Sequence, residues 1–111
     1  MRDNNHKYCL AIPINQKGIE QDEYFIDDEE NIIYYHLSGK EIDAFWDSGI
    51  DQDINYEYNL MIDLCEDEIV PWEACEKKIP ELKKYPLLKN GKIIKAMQDA
   101  VKYKTYLHMY F

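Results

Sequence analysis

The clearest amphipathic pattern in the chain follows Asn90-Gly91. Ile93, Ile94, Met97, Ala100 and Val101 recur at helical spacing, with Lys92, Lys95, Asp99 and Lys102 opposite them. This predicts a helix whose apolar stripe faces a core. The next segment, Thr105 to Phe111, carries aromatic and apolar residues on both of its faces, and such a strand belongs in the middle of a sheet. Near the start, Tyr8, Leu10, Ile12 and Ile14 alternate with Cys9, Ala11 and Pro13, a period of two that predicts a first strand. Pro13 places it at an edge, because proline cannot donate to a ladder. Tyr24-Phe25-Ile26 reads as a second, short strand and Asp27 to Asn31 as a turn. Ile32 to Leu37 reads as a third strand of strong β-formers.

Ser38-Gly39-Lys40-Glu41 has the form of a capping box, with Ser38 accepting from the Glu41 amide while Glu41 reaches back. The helix it opens carries Ile42, Phe45 and Trp46 and stops at Gly49. Ile54, Tyr56, Tyr58, Leu60 and Ile62 then alternate as in a strand, although Ile50, Ile54, Tyr58 and Met61 also mark one helical face; the shorter period favours a strand. Pro71 suits the first turn of a helix lined by Trp72, Cys75, Ile79 and Leu82. Pro80 kinks or splits that helix by removing a donor, and Pro86 ends the region. No linker or repeat interrupts the chain, so residues 1–111 read as one domain. The expected fold is α+β: a mainly antiparallel sheet packed against two to four helices in a single layer.

Charge changes the picture more than composition does. The net charge is −9, and it is unevenly spread. Nineteen acids and one base, Lys40, lie between Gly18 and Glu76, whereas nine lysines face only Glu81 and Asp99 from Lys77 onward. Direct nucleic-acid binding would have to rely on that last third against the repulsion of everything before it. No apolar run reaches the ~20 residues that a membrane span requires. The apolar stretch Tyr8 to Ile14 is too short for a signal peptide. Cys9, Cys65 and Cys75 are odd in number and form no C-x-x-C pair. Free thiols in a cytoplasmic setting are therefore expected.

Little in the chain has the spacing that catalysis or metal binding needs. His6, His36 and His108 are scattered, and Cys75 falls on an apolar helix face. Asp51-x-Asp53-x-Asn55 opens like a calcium loop, but Tyr56 stands where the glycine belongs and Ile62 where the bidentate glutamate belongs. The four glycines are isolated, so no phosphate loop is present. The expectation is a protein that is not an enzyme and uses no metal or cofactor. What remains is surface chemistry: ten tyrosines interleaved with acidic clusters, a combination that provides contact area and steers a basic partner.

Phe45-Trp46-Asp47-Ser48-Gly49, the run Ile62-Asp63-Leu64-Cys65-Glu66-Asp67-Glu68-Ile69-Val70-Pro71, and the following helix with Trp72 and Cys75 carry a resemblance. The stretch Ile42 to Leu82 resembles the small acidic immunity proteins of bacterial polymorphic and contact-dependent inhibition toxin systems. That resemblance implies an α+β, cytoplasmic protein that binds and neutralises a cognate toxin, often a basic nuclease. Charge alone nominates the contact residues: Asp63, Glu66, Asp67 and Glu68 as the rigid centre, Asp27, Asp28, Glu29 and Glu30 as the rim, and Tyr56 and Tyr58 beside them. The competing readings are a small enzyme or ligand-binding domain with a pocket at Tyr106, His108 and Tyr110, and an acidic nucleic-acid mimic. Because the calcium loop is incomplete, a thermal melt in millimolar calcium should superimpose on one in EDTA. A rise of many degrees would restore the Asp51/Asp53/Asn55 site.

Overall fold

The computed structural model describes residues 8–63 and 67–111; His6, Cys65 and Glu66, singled out above, lie outside the described residues. Among the described residues four strands form one antiparallel sheet: β1 (Cys9–Pro13), β2 (Ile32–His36), β3 (Asp67–Pro71) and β4 (Tyr106–Tyr110), in the order β2-β1-β4-β3. The expected α+β class and the central place of the C-terminal strand are both observed. The edge position expected for β1 is not, since it lies between β2 and β4. Pro13 is its last residue, and the ladder with β4 spans only Cys9 to Ala11. The donor that proline lacks therefore falls where β4 asks for none, while the Pro13 carbonyl accepts from Thr105 Oγ1 at 2.6 Å.

Among the described residues five helices surround the sheet rather than two to four: α1 (Gln16–Glu23), α2 (Gly39–Ser48), α3 (Ile50–Tyr58), α4 (Trp72–Leu82) and α5 (Lys92–Tyr103). Two corrections concern type. Residues 54–62 are not a strand, because α3 occupies Ile50–Tyr58 and buries Ile50 and Ile54. The helical spacing wins over the alternation because it aims those two side chains into the core. Tyr24-Phe25-Ile26 is not a strand either but the exit of α1. There the Phe25 amide donates to the Asp22 carbonyl at 3.0 Å and the Ile26 amide to the Gln21 carbonyl at 2.9 Å, the paired bonds of a Schellman closure. Pro80 lies inside α4 without splitting it; so near the helix end it deprives only the last turn of a donor.

The capping box is half formed. The Ser38 hydroxyl accepts from the Glu41 amide at 3.2 Å, but the Glu41 carboxylate accepts from the Ile93 amide at 2.9 Å, at the start of α5. Glu41 thus caps a different helix from its own. Gly91 permits this approach, since a Cβ there would stand 2.5 Å from Glu41 Oε2.

The two sheet faces are covered differently, so the helices do not form a single layer. Leu10, Ile12, Val70, Leu107 and Met109 point toward α2–α5 and join Phe45, Ile54, Cys75, Leu82, Ile93 and Met97 in the apolar core. Tyr35 adds a polar tie, donating to Asp99 Oδ2 on α5 at 2.6 Å. The opposite face presents His36, Cys9, Tyr110 and Asp67 in one register row and Tyr34, Ala11, His108 and Ile69 in the next. Among the described residues, α1 is the one helix on this side. Among the described residues no helix is long and apolar enough to cross a membrane. Met97, fully buried at the centre of the α5 stripe, should not tolerate charge. Met97→Asp is expected to abolish the cooperative melt, because an unpaired buried carboxylate costs several kcal/mol against a total stability of about 5–15.

Candidate functional site

Helix α1 has almost no apolar stripe; the residues it buries are Gly18 and Asp22. Asn15 starts it by accepting from the Gly18 amide at 2.8 Å. Gly18 then lies directly against the Asn31 carbonyl and Pro13, leaving no space for a Cβ. That close approach lowers the helix onto the sheet and delivers the Asp22 side chain to β4. Because strand side chains alternate, Tyr106, His108 and Tyr110 all rise from β4 toward it. Asp22 Oδ2 accepts from the Tyr106 hydroxyl at 2.7 Å and lies 2.6 Å from His108 Nδ1, while Oδ1 accepts from the Tyr110 hydroxyl at 2.7 Å. The His108 and Tyr110 rings stack at 3.9 Å. On the far side of the imidazole, Nε2 stands 2.8 Å from Asp67 Oδ2 at the start of β3.

The cluster is closed. Asp22 is 1 % exposed and His108 3 %. Burial alone would raise the Asp22 carboxyl, but the His108 hydrogen bond and charge, then the Tyr106 and Tyr110 hydroxyls, outweigh it and hold it below the ordinary carboxylate range. Burial, followed by the Asp22 carboxylate, pushes the Tyr106 phenol far above its ordinary value, so it stays a donor. His108 between two carboxylates can donate to both only as the doubly protonated ring; a neutral ring leaves one contact without a proton.

Around this closed centre the surface is open and apolar. Tyr24, Phe25 and Ile26 are 75 %, 46 % and 47 % exposed, and Ile69 on β3 is 41 % exposed. The Phe25 ring lies 6.3 Å from His108 and 6.2 Å from Tyr110. Its backbone is held at φ 56, a conformation that costs a bulky residue of order 1–3 kcal/mol and that the surroundings must impose. Exposed carboxylates flank the patch: Glu20 and Glu23 on α1, Asp27, Glu29 and Glu30 in the turn to β2, and Asp67 on β3; on α1 and that turn the one exposed base among the described residues is Lys17.

The residues nominated from charge are thereby separated. Asp67 and Glu68 are strand neighbours and point to opposite faces. Glu68 is engaged at the sheet edge, accepting from the Met61 amide at 2.9 Å and the Ile69 amide at 3.0 Å. Asp28 organises its own turn, accepting from the Glu30 amide and the Asn31 side chain. Glu29 and Glu30 have no polar partner among the described residues. Asp63 is exposed between α3 and β3. Tyr56 is 91 % exposed on α3, in the other layer, and Tyr58 packs against the apolar core. Tyr106, His108 and Tyr110 do come together, but their polar atoms are spent on Asp22 and, through His108 Nε2, on Asp67.

The calcium-loop residues sit in α3, where Asn55 is bonded to the Ile62 backbone through both its amide atoms; Asp51 Oδ1 has no partner among the described residues. No group of three or more metal-ligating side chains occurs among the described residues. Cys9 and Cys75 are buried free thiols, and burial pushes Cys75 up to about 12, which leaves it unreactive. A surface cleft of about 320 Å³, lined by Lys83, Lys89, Lys95 and Ile94, belongs to the helical layer and contains none of the candidates. Asp22 and Phe25 were missed by sequence reasoning. A bulky residue two positions beyond a helix end, where glycine is usual, becomes a signal only once the helix is recognised. No family model matches the chain, and neither does any curated protein or solved structure.

The lowered Asp22 value fixes the sign of a pH effect. Its folded pKa lies below the unfolded one of about 3.9, so its contribution is complete above that value and is lost as pH falls through the folded pKa. Asp22→Asn should therefore cost about 3 kcal/mol at neutral pH and flatten the acid limb of the stability profile. Urea unfolding between pH 7 and pH 2 checks both.

Proposed function

We propose that this protein is an immunity-type inhibitor that captures a basic protein partner, a toxin domain, through the sheet face covered by α1. The observation that carries this reading is an exposed apolar centre, Tyr24, Phe25, Ile26 and Ile69, flanked on both sides by carboxylates. Apolar centres with polar rims are the usual anatomy of protein interfaces. The apolar centre also favours a protein partner over mimicry of nucleic acid, whose phosphate rows enclose no such patch of side chains. The small-pocket reading has less support, since Tyr106, His108 and Tyr110 satisfy one another through Asp22. The same closure supports binding over catalysis. The free carboxylates of Glu29 and Glu30 serve the steering, and the apolar centre holds the complex once formed.

The test uses the partner captured from a lysate of the source, with association measured at low and high salt. Reversing Glu29 and Glu30 to lysine should lower the on-rate by roughly tenfold at low salt and far less at high salt. Tyr56→Ala, on the other layer, should leave both rates unchanged. A wild-type on-rate indifferent to salt would remove this face from the mechanism.

A further inference from the structure

Within the face proposed to bind the partner, and resting on that reading, we infer that Asp67, Phe25 and Ile69 form a seat for one arginine side chain of the basic protein. Three different chemistries converge on the His108–Tyr110 stack. Asp67 supplies the charge. Its Oδ2 is held by His108 Nε2 at 2.8 Å, whereas its side chain remains 50 % exposed. Oδ1 takes part in no interaction among the described residues. A proton on Nε2 fixes this carboxylate in place before any partner arrives, and little conformational entropy then remains to be lost on pairing.

Phe25 supplies a π-surface. Its ring leans on His108 at an interplanar angle of 52° and on Tyr110 at 70°, while almost half of the residue faces solvent. Its positive φ keeps an aromatic ring at a position where glycine would relax the backbone. Ile69 supplies an apolar shelf: it is in register with His108 and stands two residues from Asp67 on the same sheet face. A carboxylate beside an exposed ring and an aliphatic shelf suits a guanidinium, which is planar, weakly hydrated and able to stack while it donates. An ammonium is compact and strongly hydrated, and it gains less from the ring and the shelf.

The experiment titrates the full ¹⁵N-labelled chain at low salt with N-acetyl-arginine methylamide and, separately, with its lysine counterpart. Arginine should saturate with shifts concentrated at residues 24–26, 67–69 and 108–110, and bind about threefold more tightly than lysine. Asp67→Asn and Phe25→Gly should each weaken it by roughly fivefold. Phe25→Gly should keep or raise the melting temperature, because glycine suits the left-handed position, so its loss of binding cannot be loss of fold. Equal binding of the two probes spread over the acidic residues, or arginine shifts unchanged in both variants, would overturn the seat. With the captured partner, salt-steered association that persists while neither variant speeds dissociation would overturn the seat and leave the binding face intact. Absence of salt steering would instead remove the face.

Discussion

The carboxylate of Asp22 is withdrawn from water beneath α1 and receives three donors from one strand. A buried carboxylate is tolerable only when its oxygens are satisfied. That requirement dictates much of this side of the protein. The donors must come from alternate positions of a strand directly under the helix, which β4 provides with Tyr106, His108 and Tyr110. The helix must approach closely, which Gly18 allows by resting on the Asn31 carbonyl. In turn the grip of Asp22 positions the end of α1, and with it the exit turn that holds Phe25 over the His108–Tyr110 stack. An apolar helix face would have been cheaper to bury but less exact in placement, because hydrophobic contact is non-directional.

The two faces of the sheet therefore divide the work. Toward α2–α5 the contacts are those of a close-packed apolar core, with few polar ties such as Tyr35 to Asp99 and Glu41 to the α5 amide. Toward α1 they are hydrogen bonds and ring contacts, with apolar side chains left at the surface. Charge follows the same division in part. The α1 side carries exposed carboxylates, and so does the helical layer, at Asp43, Asp47, Asp53, Glu73 and Glu76, but there lysines on α5 and in the segment before it also line a cleft. A field of this kind attracts positively charged molecules from a distance.

Carboxylates that look equivalent along the chain differ in what they are free to do. Glu68 covers the outward Ile69 amide, and Pro71 at the end of the same strand has none to offer, so the exposed edge of β3 resists pairing with another chain. Asp28 shapes a turn. Asp67 is half engaged, fixed by His108 on one oxygen and open on the other. Glu29 and Glu30 are loose at the rim. Steering needs only the net field of such groups, whereas a stable contact needs one that is already in place.

The sequence by itself determined the α+β class, the α5 stripe, the Ser38 cap, the strand at Ile32 and the acidic character of the first two-thirds. Each rests on a local period or on composition, which a chain carries before it folds. Tertiary structure decided the rest. Residues 54–62 carry both periods, and only the position of the core chose the helix. Pro13 speaks against a central strand until the short β4 ladder shows that its missing donor is not needed. Helix α1 was invisible because it docks through a glycine and an aspartate, and neither contributes to a hydrophobic stripe. Asp67 and Glu68 look like one cluster in sequence, yet the strand's period of two sends them to opposite faces. The candidate surface joins α1, its exit turn, β3 and β4, residues far apart in the chain. Their partnership depends on which strands are neighbours and how closely a helix can approach them, and both are set by long-range packing rather than by any local run of residues.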